Sequence, residues 1–158
     1  MTMPSVAPVP AVGQPAPDFS LASTSGDTVT LAGLRGRPVL LAFFPLAFTS
    51  VCTAELCDMR DDYDRFADAG VIVLPLSVDS VPTLREFKAK HGMKTDLLSD
   101  FKREASRAYG TLDEPRFFSN RAYFLIDRNG VVRWSHVETA IGHRRQNSEI
   151  FAEIAKLG

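Results

Sequence analysis

Residues 39–78 read VLLAFFPLAFTSVCTAELCDMRDDYDRFADAGVIVLPLSV, and this stretch decides the fold. Its two ends, Val39 to Pro45 and Val71 to Val78, are nearly continuous apolar runs, the pattern of strands covered on both faces inside an α/β sheet. Between them, Leu56, Met59, Tyr63 and Phe66 follow Cys52 at spacings of four, three, four and three, while Asp58, Asp61, Asp62 and Arg65 take the other side. That periodicity predicts a helix starting near Cys52, so the stretch is a strand, a helix and a strand in succession.

Downstream, Ser80 suits an N-cap for a second helix with Leu84, Phe87 and His91 on one face, and a shorter helix is expected after Asp100. Arg121 to Asp127 and Val131 to Trp134 are joined by a turn containing Asn129-Gly130, a strong hairpin signal. A last helix from about Asn147 carries Ile150, Phe151, Ile154 and Leu157 as one apolar stripe. This order predicts an α/β, thioredoxin-like fold with a central mixed sheet flanked by helices. Residues 1–17, rich in Pro and small side chains, read as an extended lead-in rather than packed structure. Residues 18–158 contain neither repeat nor Gly/Ser linker and read as a single domain.

The 158 residues are 45% apolar, enough for one hydrophobic core without covalent staples. A net charge of −1 with no run of like charge gives no field to attract nucleic acid or an anionic membrane, and neither is expected as a partner. No basic leader with an apolar run opens the sequence, and no stretch approaches the ~18 apolar residues of a membrane span. A cytoplasmic protein is expected.

The chemistry must then be sought at the two cysteines. Cys52 falls where the first central strand gives way to its helix, in the first helical turn. Unpaired backbone N–H groups and the positive end of the helix dipole favour an anion there, so Cys52 is expected to be a nucleophile. It also begins the apolar stripe, which turns the sulfur toward the sheet and leaves it only partly exposed. Burial works against the charge, and a further positive group is required. Cys57 lies four intervening residues away, not the two of the C-x-x-C motif of disulfide reductases. His91, His136 and His143 sit at no spacing that pairs them with the cysteines as a zinc site, and no metal is expected.

The segment FFPLAFTSVCTAELC resembles the active-site segment of peroxiredoxins, P-x-x-x-T-x-x-C, with Pro45, Thr49 and Cys52 in register. The resemblance extends from APDFSL through RGRPVLLAFFP and LLSDFKREASRAYG to NRAYFLIDRNGVVRW. It is greatest to the bacterioferritin-comigratory (Q-type) subgroup and the AhpE-like subgroup of the AhpC/TSA superfamily, and Cys57 favours the former. The resemblance implies a peroxidase that reduces hydrogen peroxide and organic hydroperoxides without a cofactor. Cys52 would be the peroxidatic thiolate, Thr49 would bond the peroxide, Pro45 would shield the sulfur and Arg121 would supply the charge, with Arg116 the alternative cation. The N–H groups of Val51 and Cys52 would help bind substrate and stabilise the transition state.

Cys57 is expected to resolve the Cys52 sulfenic acid as an internal disulfide, recycled by a thioredoxin-like or glutaredoxin-like reductant. Five residues of helix rise about 7.5 Å, so the two sulfurs meet only if the first turns unwind. No resolving cysteine follows farther along, which argues against resolution between two chains and is compatible with a monomer or a homodimer. Taken singly, Thr49 is also a helix cap, Pro45 a strand terminator and Arg121 a surface cation. Glu55 either orients Arg121 or helps move a proton, against the plainer reading that an acid in the first turn favours the helix dipole, whereas Trp134 and Phe48 read as packing. The alternative function is a redox sensor or holdase that uses the same thiolate.

Overall fold

The computed structural model describes residues 5–140 and 142–157. A hairpin of β1 (Ser20–Ser23) and β2 (Thr28–Thr30) is followed by β3 (Val39–Phe43), α1 (Ser50–Asp61), α2 (Tyr63–Asp68) and β4 (Ile72–Ser77). Then come α3 (Val81–His91), β5 (Leu98–Ser99), α4 (Glu104–Ala108) and the two-residue strands β6 (Leu112–Asp113) and β7 (Phe118–Ser119). The chain continues with β8 (Ala122–Ile126), β9 (Val132–Val137) and α5 (Asn147–Ala155). Seven strands form one mixed sheet in the order β2-β1-β5-β4-β3-β8-β9, while β6 and β7 pair by themselves.

The sheet centre explains the unbroken apolar runs. Strand β3 pairs in parallel with β4 and antiparallel with β8, so every residue of Val39–Phe43 is buried. Its side chains alternate between two cores. Leu40, Ala42 and Phe44 join Leu56, Met59, Phe66, Leu84, Phe87 and Ile150 from the helices on one face. Val39, Leu41 and Phe43 join Leu76, Phe124, Ala105 and Tyr109 on the other.

The elements depart from expectation in several places, the two-residue strands β5, β6 and β7 among them. The helix after Cys52 is two helices, with Asp62 at the junction at φ −97° and ψ 14°. Asp62 is a poor helix former whose carboxylate accepts from Asn147 Nδ2 at 2.8 Å, so a tertiary contact competes with helix continuation. The β1–β2 hairpin was not evident because its strands are only four and three residues long, and only Leu21 and Ser23 are buried in β1. The chain from residue 5 to 17 forms no helix, turns at residues 12–14 and is docked. Ala7 N donates to Arg107 O at 2.8 Å, Gly13 N to Val132 O at 2.8 Å and Ala16 N to Gly130 O at 2.9 Å. Gly110, at φ 70°, is crossed so closely that a Cβ there would lie 2.6 Å from Ala7 O.

Candidate active site

The site lies at the junction of β3 and α1. Pro45 is buried in the connecting loop, which turns through Phe48 at φ 67°, a left-handed conformation costing an aromatic residue roughly 1–2 kcal/mol. Two contacts hold that turn. Asp79, just beyond β4, accepts from Ala47 N at 2.8 Å and from Ser77 Oγ at 2.6 Å. The Phe48 ring packs edge-on against Phe87 of α3, centroids 5.2 Å apart.

Thr49 is the N-cap residue, but its side chain makes no capping bond; Thr49 Oγ1 donates to Leu46 O at 2.7 Å. Its proton is thereby committed, and the exposed hydroxyl presents its lone pairs as an acceptor. Ser50, Val51 and Cys52 form the first turn of α1, where N–H groups have no intrahelical acceptor.

Cys52 is 1% exposed, which corrects the expectation of a partly exposed sulfur. The cause is packing, since Cys52 is itself a member of the core cluster formed with Leu40, Ala42, Phe44 and Leu56. The required cation is present. Arg121, the residue before β8, donates from Nη2 to Cys52 Sγ at 3.1 Å, from Nη1 to Glu55 Oε1 at 3.0 Å and from Nε to His143 O at 3.1 Å. It is as buried as the cysteine and is not a surface cation. Arg116 is half exposed and pairs with Asp113 instead.

Glu55, one turn after Cys52, is also buried; it binds Arg121 through Oε1 and accepts the Tyr123 hydroxyl through Oε2. The orienting reading of Glu55 therefore fits the geometry. Burial pushes the Glu55 carboxyl above its ordinary value, against the lowering effects of Arg121 and Tyr123. Burial first, and then the Glu55 charge, raise the Tyr123 phenol, which stays protonated and acts as a donor. Burial disfavours the Arg121 charge, but Glu55 and Cys52 outweigh it and hold the guanidinium above its ordinary range. Electrostatically, the site is one buried cation spanning a sulfur and a carboxylate.

Cys57 lies farther along α1, half-buried, with its sulfur 3.9 Å from His91 Nδ1 of α3; both cysteines are free thiols. Trp134 packs at the edge of the helical core, as an aromatic in this fold ordinarily does. Sequence reasoning did not find Asp79, Tyr123 or the nearness of His91 to Cys57. Tyr123 meets Glu55 across 68 residues and His91 meets Cys57 across 34, separations that local spacing does not encode. Asp79 carried a weak signal, a carboxylate at the end of a buried strand. Among the described residues, no helix is long and apolar enough to cross a membrane.

The AhpC/TSA family profile matches residues 12–135. Among curated proteins, alkyl hydroperoxide reductase E of Mycobacterium tuberculosis (strain ATCC 25618 / H37Rv) is 40% identical over 130 residues, covering 80% of this chain and 85% of that protein. Putative peroxiredoxin bcp of Coxiella burnetii is 39% identical over 127 residues, covering 77% and 84%. Among solved structures, reduced Plasmodium vivax 2-Cys peroxiredoxin superposes with a TM-score of 0.85 at 33% identity, covering 92% of this chain and 81% of that one. Peroxidoxin BcpB from Mycobacterium tuberculosis gives 0.84 at 25% identity, covering 94% and 99%.

Proposed function

Since the chain belongs to the AhpC/TSA family of thiol-dependent peroxidases, we propose that Cys52 is the thiolate that attacks hydrogen peroxide and organic hydroperoxides. The observation carrying this is the 3.1 Å contact from Arg121 Nη2 to a sulfur in the first turn of α1. As Sγ bonds to one peroxide oxygen the O–O bond breaks, so negative charge moves from sulfur to the departing oxygen. Arg121 and the N–H groups of Val51 and Cys52 sit where that charge develops, and an interaction that strengthens along this path accelerates the step. Thr49 Oγ1 accepts the peroxide O–H, and Pro45 walls the sulfur from bulk water. The attacked oxygen keeps its hydrogen and leaves Cys52 as a sulfenic acid, while the leaving oxygen takes one proton from solvent and departs as water or alcohol. This chemistry uses protein groups alone.

Cys57 then attacks the Cys52 sulfenic acid, and a thioredoxin-like or glutaredoxin-like protein reduces the disulfide. A cytoplasmic location, where such reductants are kept reduced, belongs to this reading, as does catalysis by residues 18–158 as one unit. Steady-state consumption of peroxide with a thioredoxin and its reductase tests the cycle. Many turnovers per chain are expected. Stoichiometric mixed disulfides without turnover would instead make the chain a redox sensor.

A further inference from the structure

Cys57 and His91 are both half-buried and face one another, and the two have complementary chemistry. His91 ends α3 with its ring 4.6 Å from the Phe87 centroid and 6.3 Å from that of Phe48, and its Nδ1 faces Cys57 Sγ at 3.9 Å. Arg60, one turn after Cys57, pins this end of α3 by donating from Nη1 to His91 O at 2.6 Å. Arg60 is also paired with Asp61 and is near enough to feel the charge of a Cys57 thiolate. Lys90, on the same helix as His91, lies over the Phe48 ring at 5.8 Å from its centroid. A thiol 3.9 Å from an imidazole nitrogen is placed to pass its proton to that nitrogen.

We propose that His91 is the general base for Cys57, so that the resolving thiolate is generated on the intact helix before α1 opens. This rests on the resolving role proposed for Cys57. The Cys57 proton passes to His91 Nδ1, and the thiolate attacks the Cys52 sulfenyl sulfur once the first turns of α1 release it. An S–S bond forms as the S–O bond breaks, and the hydroxide departs as water with the proton that Cys57 gave up. Cys57 is oxidised and Cys52 reduced to the disulfide level, so no further oxidant enters.

The two cysteines thus have separate activators: Arg121 and the helix N-terminus for Cys52, His91 with Arg60 for Cys57.

The test follows Cys57 directly in a full-length Cys52→Ser background, measuring its alkylation by iodoacetamide from about pH 5 to about pH 9. In the otherwise native chain, peptide mapping after one equivalent of hydrogen peroxide gives the rate of Cys52–Cys57 disulfide formation. Two substitutions are compared. His91→Phe keeps the ring contacts with Phe87 without a base, and His91→Asn keeps a polar group without one. Both are expected to slow alkylation near neutral pH about tenfold, displace its pH profile toward alkaline values and slow disulfide formation in proportion. Native-like alkylation in either variant overturns the proposal, whether or not the disulfide forms. If the native chain forms no Cys52–Cys57 disulfide, the resolving role falls, and the alkylation comparison still decides whether His91 acts as base to Cys57.

Discussion

At the residue scale, the central fact is that one buried guanidinium serves two acidic partners. Cys52 and Glu55 are each 1% exposed, so neither gains much stabilisation from water, and Arg121 supplies what solvent would have provided. This makes Arg121→Ala a poor probe: it would strand Glu55 in the core, at a cost to stability of about 3–5 kcal/mol. Arg121→Lys keeps the charge but cannot fork between Sγ, Oε1 and the His143 carbonyl. Second-order rates of peroxide consumption should fall about ten- to a hundredfold in that variant, a loss of about 1.5–3 kcal/mol, with far smaller change in its unfolding midpoint. A native rate would remove Arg121 from the transition state. Thr49 makes a second case. Its hydroxyl proton is held by Leu46, so Thr49→Val loses the acceptor whereas Thr49→Ser retains it. Stopped-flow rates should fall at least about tenfold for the former and little for the latter. A loss in Thr49→Ser beside a native rate in Thr49→Val would mean that the methyl group, not the hydroxyl, matters.

At the element scale, α1 must satisfy two demands. Its first turn is wound where Cys52 faces Arg121, and in the proposed resolving step it would have to unwind for Cys52 to reach Cys57. What holds the wound form is visible on its outer side. Arg144 binds the Asp58 carboxylate, while Asn147 Nδ2 donates to Asp58 O at 3.0 Å and to Asp62 at 2.8 Å. On the inner side, Glu55 is tied to Arg121 and Tyr123 of the central sheet region. The opening of α1 is thus opposed by contacts from the 142–147 segment as well as by its own hydrogen bonds. Asn147→Ala should weaken the outer clamp by about 1 kcal/mol, raising amide exchange across residues 50–62 about fivefold while β3, β4 and β8 stay protected. Oxidation of the native chain should loosen the same residues, and exchange there that responds to neither change would contradict a clamped helix.

At the scale of the whole molecule, stability toward acid depends on turns far from the site. Asp127, in the β8–β9 turn, accepts from Asn129 N at 2.9 Å and Val131 N at 3.0 Å and pairs with Arg133. Partial burial acts to raise its carboxyl, but these bonds prevail and hold it below its ordinary value. The unfolded chain therefore takes up this proton at higher pH than the folded one. The stabilisation is complete above about pH 4 and is lost as pH falls through the folded value. Urea midpoints should show Asp127→Asn about 1 kcal/mol less stable than the native chain at neutral pH, with the gap closing in acid. A gap independent of pH would mean that the charge is irrelevant.

The same local-versus-distant division explains what was legible in the sequence. The buried strands, the hairpin at Asn129-Gly130 and the cysteine in a first helical turn are local patterns, and all stand in the structure. The burial of Cys52, the pairing of Tyr123 with Glu55 and the docking of the Pro-rich start on Gly110 arise from contacts between distant segments, which periodicity does not report. The central claim remains that Cys52 is the peroxide-reducing group. Its most direct test is peroxide consumption by the Cys52→Ser chain beside the native one. Consumption is expected to be abolished while the fold persists, and undiminished consumption by the serine variant would show that Cys52 is not the peroxide-reducing group.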